Sequence, residues 1–238
     1  MESLLKLIRQ RQSARTIFDS KKRISKTNLD KILEAGSWAP TAHNMQNFEV
    51  LIVDDKKKLE AIANLKNPIS LTFIKENYQQ MSFSKEELKK KGRGVLGAMF
   101  PPAWRKPDVK AEDLVGEDHN SFMSEEIKSS SALAIVLYDS TKRAPASEGD
   151  FLGAISLGCV MENMWLMANS LGIDFHILSA LSEGTIAKEI RTMFNIPEHL
   201  KIAYSFRLGY SIAPVKYLRV RRKISAFKHM NGYDTKKS

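Results

Sequence analysis

Cysteine is almost missing from this chain. Cys159 is the only one in 238 residues, so no internal disulfide can form and no cysteine-rich metal site can be built. Such sparing use fits a reducing, intracellular setting, and a cytoplasmic protein is expected. Histidine is scarce too. His43, His119, His176, His199 and His229 are scattered without HExxH or any other ligand spacing, so no metal site is expected. No G-x-S-x-G elbow is present, and Cys159 lies in an apolar stretch where it reads as packing. Repeats and low-complexity linkers are absent. The opening MESLLKLIRQRQ has too short an apolar run, and too early a glutamate, for a secretory signal. The window from Phe151 to Ile173 is long enough to span a bilayer. Glu162, Asn163 and Asn169 interrupt it, however, so a buried helix is expected and no membrane partner.

What is present is an ordinary globular composition, 43% hydrophobic and 27% charged. Lys and Arg number 37 against 27 Asp and Glu, a formal charge of +10. That excess favours anionic partners, from phosphate ligands to nucleic acid or a membrane surface, without choosing among them.

Periodicity gives a coarse order of elements. Residues 3–11 read as a short helix with Ser3 as cap and Leu4, Leu7 and Ile8 on one face. A second helix spans SKTNLDKILEAG, with Thr27 and Asp30 as a capping box and Gly36 at its end. FEVLIV from Phe48 reads as a strand. Residues 65–128 are polar and irregular, with an exposed helix over Lys85–Lys91 and an aromatic turn from Phe100 to Trp104. ALAIVLY from Ala132 reads as a strand buried on both faces. A long helix follows from about Asp150 to Leu171, and another from Glu183 to Phe194. KIAYSFRLGY from Lys201 alternates, with Ile202, Tyr204, Phe206 and Leu208 on one face. Few strands, several helices and no regular alternation argue for an α+β fold.

Gly92, Gly94 and Gly97 match the dinucleotide fingerprint, yet KEELKKK precedes them and MFPP follows. Without a strand before and a helix after, the match is read as a flexible loop. Two basic clusters remain. Arg11, Ser13 and Arg15 are two residues apart, so an extended chain would point all three to one side, where two guanidinium forks and a hydroxyl suit the oxygens of a phosphate. The ordinary alternative is a pair of solvated arginines beside a helix end. KYLRVRRK puts Arg219, Arg221 and Lys223 on one face if extended. A charged tail or a nucleic-acid patch would look the same, but no homeodomain, zinc-finger or RNP pattern supports nucleic acid. Between the clusters, Pro40, Thr41, Asn44 and Gln46 gather polar groups at a strand entrance.

The order of these segments resembles the nitroreductase family of FMN-dependent oxidoreductases over nearly the whole chain. The family's R-R-S-x-R is similar to Arg11-Gln12-Ser13-Ala14-Arg15. Its A-P-S-x-x-N-x-Q-P-W resembles Ala39-Pro40-Thr41-Ala42-His43-Asn44-Met45-Gln46-Asn47-Phe48. Its long helix ending L-G-L resembles Asn163 to Ile173, its L-G-Y is Leu208-Gly209-Tyr210, and its R-x-R-x-P-L resembles the stretch from Arg219 to Ile224. The resemblance implies a central, mostly antiparallel sheet flanked by helices in an intertwined homodimer with FMN at the interface. It implies one domain over 1–238, with 65–128 as a cover and 211–238 as a C-terminal arm.

The resemblance also implies site roles. Arg11, Gln12 and Ser13, joined by Arg219 and Arg221, would hold the FMN phosphate. Arg15 would reach the ribityl chain or the pyrimidine edge, and Pro40, Thr41, Asn44 and Gln46 would line the pocket. Leu178 and Ser179 stand where the family faces flavin N5, the Ser179 N–H toward it, and Phe100 and Trp104 in the cover would shape acceptor choice. The implied reaction is ping-pong transfer of hydride from NAD(P)H through the flavin to a nitroaromatic, quinone or similar small acceptor, which asks for no acid–base side chain. Departures fall at Asn47-Phe48, where the family has proline-tryptophan, at Ile177-Leu178-Ser179-Ala180, where it often has a glycine-containing segment, and at Lys223, where it has proline. The alternatives are a protein of this fold that binds or stores flavin without general reductase activity, and a basic nucleic-acid-binding protein.

Overall fold

The computed structural model describes residues 4–66, 68–100, 102–106, 108–116, 120–182, 184–213, 217–233 and 235. Ser3, His119 and Glu183, named above, lie outside them. In chain order the first elements are α1 (Leu4–Gln10), α2 (Lys26–Ser37), β1 (Phe48–Val53), α3 (Lys56–Ala63), α4 (Leu71–Phe73), β2 (Ser82–Phe83) and α5 (Lys85–Lys91). Then come β3 (Val95–Leu96), α6 (Asn120–Lys128), β4 (Ala132–Asp139), α7 (Phe151–Ser170), β5 (Asp174–Ile177), α8 (Gly184–Met193) and β6 (Leu200–Gly209). The chain divides into two compact units, one from residues 1–67 and 120–215, the other from 68–119 and 216–238.

The first unit is built on a four-stranded sheet in the order β1-β4-β6-β5, every neighbouring pair antiparallel. All eight residues of β4 are buried, because this apolar strand sits inside the sheet with helices on both faces. On one face Leu133, Ile135 and Leu137 pack with Leu59 and Ile62 of α3, Ile127 of α6, and Ile186 and Ile190 of α8. On the other, Ala134, Val136, Phe175, Phe206 and Leu208 pack with Ile32 of α2 and Val160, Met164 and Ala168 of α7. Each of the larger side chains, leucine, isoleucine, valine, phenylalanine or methionine, contributes about 1.5–3 kcal/mol when fully buried. The register shifts between Val136, opposite Tyr204, and Leu137, opposite Ile202. Ala203 is therefore an extra residue in β6, and Ile202 joins the face opposite to that of Tyr204, Phe206 and Leu208. The expectation that all four share one face is corrected by that bulge.

Local chemistry explains the element ends. The cap of α2 is Ser25, not Thr27: its side chain accepts from Asn28 N–H at 3.2 Å. Gly36 lies inside α2, which runs one residue further. α7 is long and apolar enough to cross a bilayer by length and composition, but Val160, Met164, Trp165 and Ala168 commit one side of it to the core. Its first half leaves Phe151 and Ile155 exposed, at 68% and 47%.

The second unit has its own small core of Ile69, Ile74, Trp104, Ala111 and Leu114, with Tyr78 and Phe100 packed against it. β2 and β3 pair in parallel. Where a loop is expected around Gly92 and Gly94, Gly92 closes α5 with a left-handed φ of 63°, and Gly94, φ 96°, lies against the Phe83 ring.

Gly209 ends β6 directly against Phe18. A Cβ placed there would collide with the Phe18 ring. Gly209→Ala is expected to destabilise the fold by about 1–3 kcal/mol, read as a lower urea midpoint at unchanged m-value.

Candidate functional site

After α1 the chain becomes extended and lies along the outer edge of β5. Ser13 bridges Phe175 in parallel, and Ala14 N–H donates to Phe175 O at 2.9 Å. Side chains alternate on such a segment. Ala14 is wholly buried, whereas Ser13 is half-buried and Arg15 exposed. Ser13 and Arg15 thus present a hydroxyl and a guanidinium on the outer side, two kinds of donor that suit anionic oxygen. Further on, Phe18 N–H donates to Ser129 Oγ at 3.1 Å, Asp19 N–H to Tyr210 O at 2.7 Å, and Ile24 N–H to Ser131 Oγ at 2.7 Å.

Beneath this segment lies a buried ionic cluster. Arg207, in β6, is fully buried and stands opposite His176 of β5. Its Nε donates to His176 Nδ1 at 3.1 Å and one Nη donates to Glu126 O at 3.0 Å. The other Nη is 3.2 Å from Glu126 Oε2 and donates to Ala14 O at 3.1 Å and to Thr16 O. The Phe18 ring closes the site, its centroid 4.0 Å from the guanidinium carbon. Glu126 is 2% exposed, so the cluster pairs a buried cation with a buried anion. Removing one partner of such a pair costs about 3–5 kcal/mol.

Burial holds the pKa of His176 below its usual value, against the opposing pull of Glu126; Arg207 and Arg15 lower it further. His176 Nδ1 lies between the two charges of the cluster, 3.1 Å from Arg207 Nε and 3.0 Å from Glu126 Oε2. Because the folded value is depressed, the unfolded chain binds the proton more readily below the ordinary 6.5. The stabilisation is present above that pH and is lost as pH falls through the folded value. Unfolding midpoints are expected to drop as buffers go below pH 6.5, and His176→Gln is expected to flatten that part of the profile.

Arg11 is occupied differently from Arg15. Its Nε lies 3.1 Å from Glu162 Oε1, and its guanidinium stacks over Trp165 at 4.3 Å, both on α7. The contact to Glu162 is an ion pair without hydrogen-bond alignment. Gln12, between Arg11 and Ser13, is half-buried. Pro40 opens a turn in which Thr41 Oγ1 accepts from Gln46 N–H at 3.2 Å and Asn44 Oδ1 from Gln46 Nε2 at 3.0 Å. His43, Asn44 and Gln46 all have positive φ, 52°, 52° and 46°. Ala42 N–H ties the turn to Ser156 Oγ of α7 at 3.0 Å. Leu178 spends its N–H on Ser205 O at 2.8 Å. Ser179 is exposed and opens the 3-10 turn Ser179–Ser182, where the first N–H groups have no partner within the turn.

The remaining expected residues belong to the second unit. Trp104 is 3% exposed, stacks with Phe100 at 5.7 Å and accepts at its carbonyl from Tyr78 Oη at 2.7 Å. Its ring is core, and Phe100 is the more accessible of the two. Trp104→Ala is expected to cost about 3–5 kcal/mol within this unit, seen as faster proteolysis of residues 68–119. Arg219 and Arg221 are exposed, and Arg221 donates to the neighbouring Val220 O at 2.7 Å. An open groove of about 680 Å³ in the first unit touches none of the expected cofactor residues. Of the lysines along it, Lys22 lies over Tyr210 and Lys128 pairs with Glu125.

Comparison with known proteins settles what kind of chain this is. The nitroreductase family model matches residues 8–210. The chain belongs to the nitroreductase family. A solved structure described as a putative NADH dehydrogenase/NAD(P)H nitroreductase from Parabacteroides distasonis is similar at 17% identity, covering 98% of this chain and 100% of that one, with TM-score 0.62. A nitroreductase with bound FMN from Bacteroides fragilis is similar at 22% identity, covering 93% and 96%, with TM-score 0.58. An FMN-dependent nitroreductase from Clostridium difficile is similar at 16%, covering 97% and 100%, with TM-score 0.59. These likenesses show the fold. Among curated proteins nothing matches. As a family member the protein is an FMN-dependent oxidoreductase, and its residues fit that cofactor: Ser13 and Arg15 form an outward donor pair on a fastened edge.

Glu126, His176 and Arg207 are absent from the sequence-based site. An arginine in an alternating strand reads as solvent-facing, and its partners lie 81 and 31 residues away.

Proposed function

We propose that this nitroreductase-family protein passes reducing equivalents from NADH or NADPH through FMN to a small organic acceptor, a nitroaromatic, quinone or similar compound, in a ping-pong cycle. The observation that carries the reading is the outward Ser13–Arg15 pair beside Phe175. FMN, when bound, supplies the hydride chemistry at N5. The chain's own residues bind and orient. Ser13 would donate to the FMN phosphate, and Arg15 would supply a cation that offsets the negative charge the flavin gains on reduction. The Ser179 N–H is a donor of the kind that suits a ring nitrogen, and the Pro40–Gln46 turn supplies a pocket wall.

The protein works as a homodimer in this reading. Phe151 and Ile155, with the exposed small residues Ala154 and Gly158 between and beyond them, form an apolar helix face able to receive a second copy, and Trp38 is 80% exposed. Sedimentation is expected to give a dimer.

The purified protein is expected to show, or to take up, the oxidised flavin spectrum, and anaerobic NADH or NADPH is expected to bleach it. Arg15→Ala is expected to weaken FMN binding about ten- to a hundred-fold, the worth of a charge-assisted hydrogen bond, and Ser13→Ala about five-fold. Flavin that binds but stays oxidised would instead indicate a binding or storage role. A protein that takes up no FMN would contradict the reading.

A further inference from the structure

We propose that Arg207, clamped by Glu126, is a positioning residue for Arg15. This rests on the FMN reading of the Ser13–Arg15 pair and adds a device that makes the pair effective. Arg207 donates to Ala14 O at 3.1 Å and to Thr16 O, the carbonyls on either side of Arg15. The Ala14 N–H is bonded to Phe175 O at 2.9 Å. Arg207 thus holds the Ala14–Arg15 peptide directly through Ala14 O, and the Arg15–Thr16 peptide is tied to the same oxygen by Thr16 N–H, which donates to Ala14 O at 3.0 Å; the Arg15 side chain is exposed.

A buried ion pair is a poor source of stability, because well-packed apolar residues of like volume do as well or better. What Arg207 supplies that an apolar residue could not is a pair of donors at fixed positions under two backbone carbonyls. Its planar fork reaches both from one nitrogen, while its other nitrogens are anchored by His176 Nδ1 and Glu126 O. A backbone ordered before binding spares the ligand the entropy of ordering it, worth about ten-fold in affinity per residue. Glu126 has a second effect. Its carboxylate offsets the Arg207 charge inside the protein, so the cation presented on the outer side is that of Arg15.

The test is a double-mutant cycle on FMN affinity, measured by quenching of flavin fluorescence on the apoprotein. The proteins are wild type, Arg15→Ala, Glu126→Gln and the double variant, at a temperature where far-UV circular dichroism shows all four folded. Glu126→Gln alone is expected to weaken FMN about ten-fold. Arg15→Ala is expected to cost ten-fold or more in the wild-type background and less than about three-fold beside Glu126→Gln, because a mispositioned arginine has less to lose. Arg207→Lys, which keeps a cation but not the fork, is expected to bind FMN more weakly than wild type and to retain part of the coupling. It also carries the test should Glu126→Gln not fold. A merely structural cluster would lower the melting temperature and leave the cost of Arg15→Ala the same in both backgrounds, and that result overturns the proposal. Wild-type protein that binds no FMN would instead fail the cofactor reading itself and take this inference with it.

Discussion

A guanidinium taken out of water must be met on every side by acceptors, and Arg207 sets that requirement at the centre of the first unit. It is met by the Glu126 carboxylate and carbonyl from α6, the His176 ring from β5, and two carbonyls from the segment after α1. Three stretches far apart in sequence thus have to arrive together for the charge to be tolerated. The requirement is specific in a way that apolar packing is not: leucines can shift and repack, while a fork with fixed donors accepts one arrangement of partners. The close approach of Phe18 to Gly209 belongs to the same cluster, since the ring that needs the glycine's missing side chain is the ring that covers the guanidinium.

The consequence for function is placement. The residues suited to an anionic cofactor lie on the rim of the sheet, where an edge segment would otherwise fray. Bonds to Phe175 O, Ser129 Oγ, Ser131 Oγ and Tyr210 O fasten that segment at several points, and Arg207 fastens it at the one that matters for Arg15. Redox chemistry in this family belongs to the flavin, so the protein's contribution lies in such placement and in the sign of the charge it presents.

Much of the fold could be read from local pattern. The run ALAIVLY has no polar residue to expose, and it forms the wholly buried β4. The exposed helix over Lys85–Lys91 carries its own cap in Ser84 and Glu87 and needs little else. The strand from Lys201 was legible as a strand but not in its faces, because a bulge at Ala203 turns Ile202 over and no residue there announces it. DFHI is too short to declare itself, yet β5 is the strand that carries His176 and receives Ala14. Of the candidate site, the spacing of Ser13 and Arg15 was informative because period-two alternation is a local property. Arg207 was hidden for the opposite reason: its meaning lies in partners that only the tertiary fold supplies. Trp104 reads in the sequence as part of an aromatic turn in the cover, whereas the fold uses its ring for the core of the small second unit.

Hydrogen exchange of the native protein, resolved by residue, tests most directly whether the buried cluster fastens the edge. The amides of Ala14, Phe18 and Asp19 are predicted to be protected to within about ten-fold of those in β4, and in Arg207→Lys to lose that protection while β4 keeps its own. Rapid exchange of these three amides in the wild-type protein, at the rate of an exposed loop, would contradict the account.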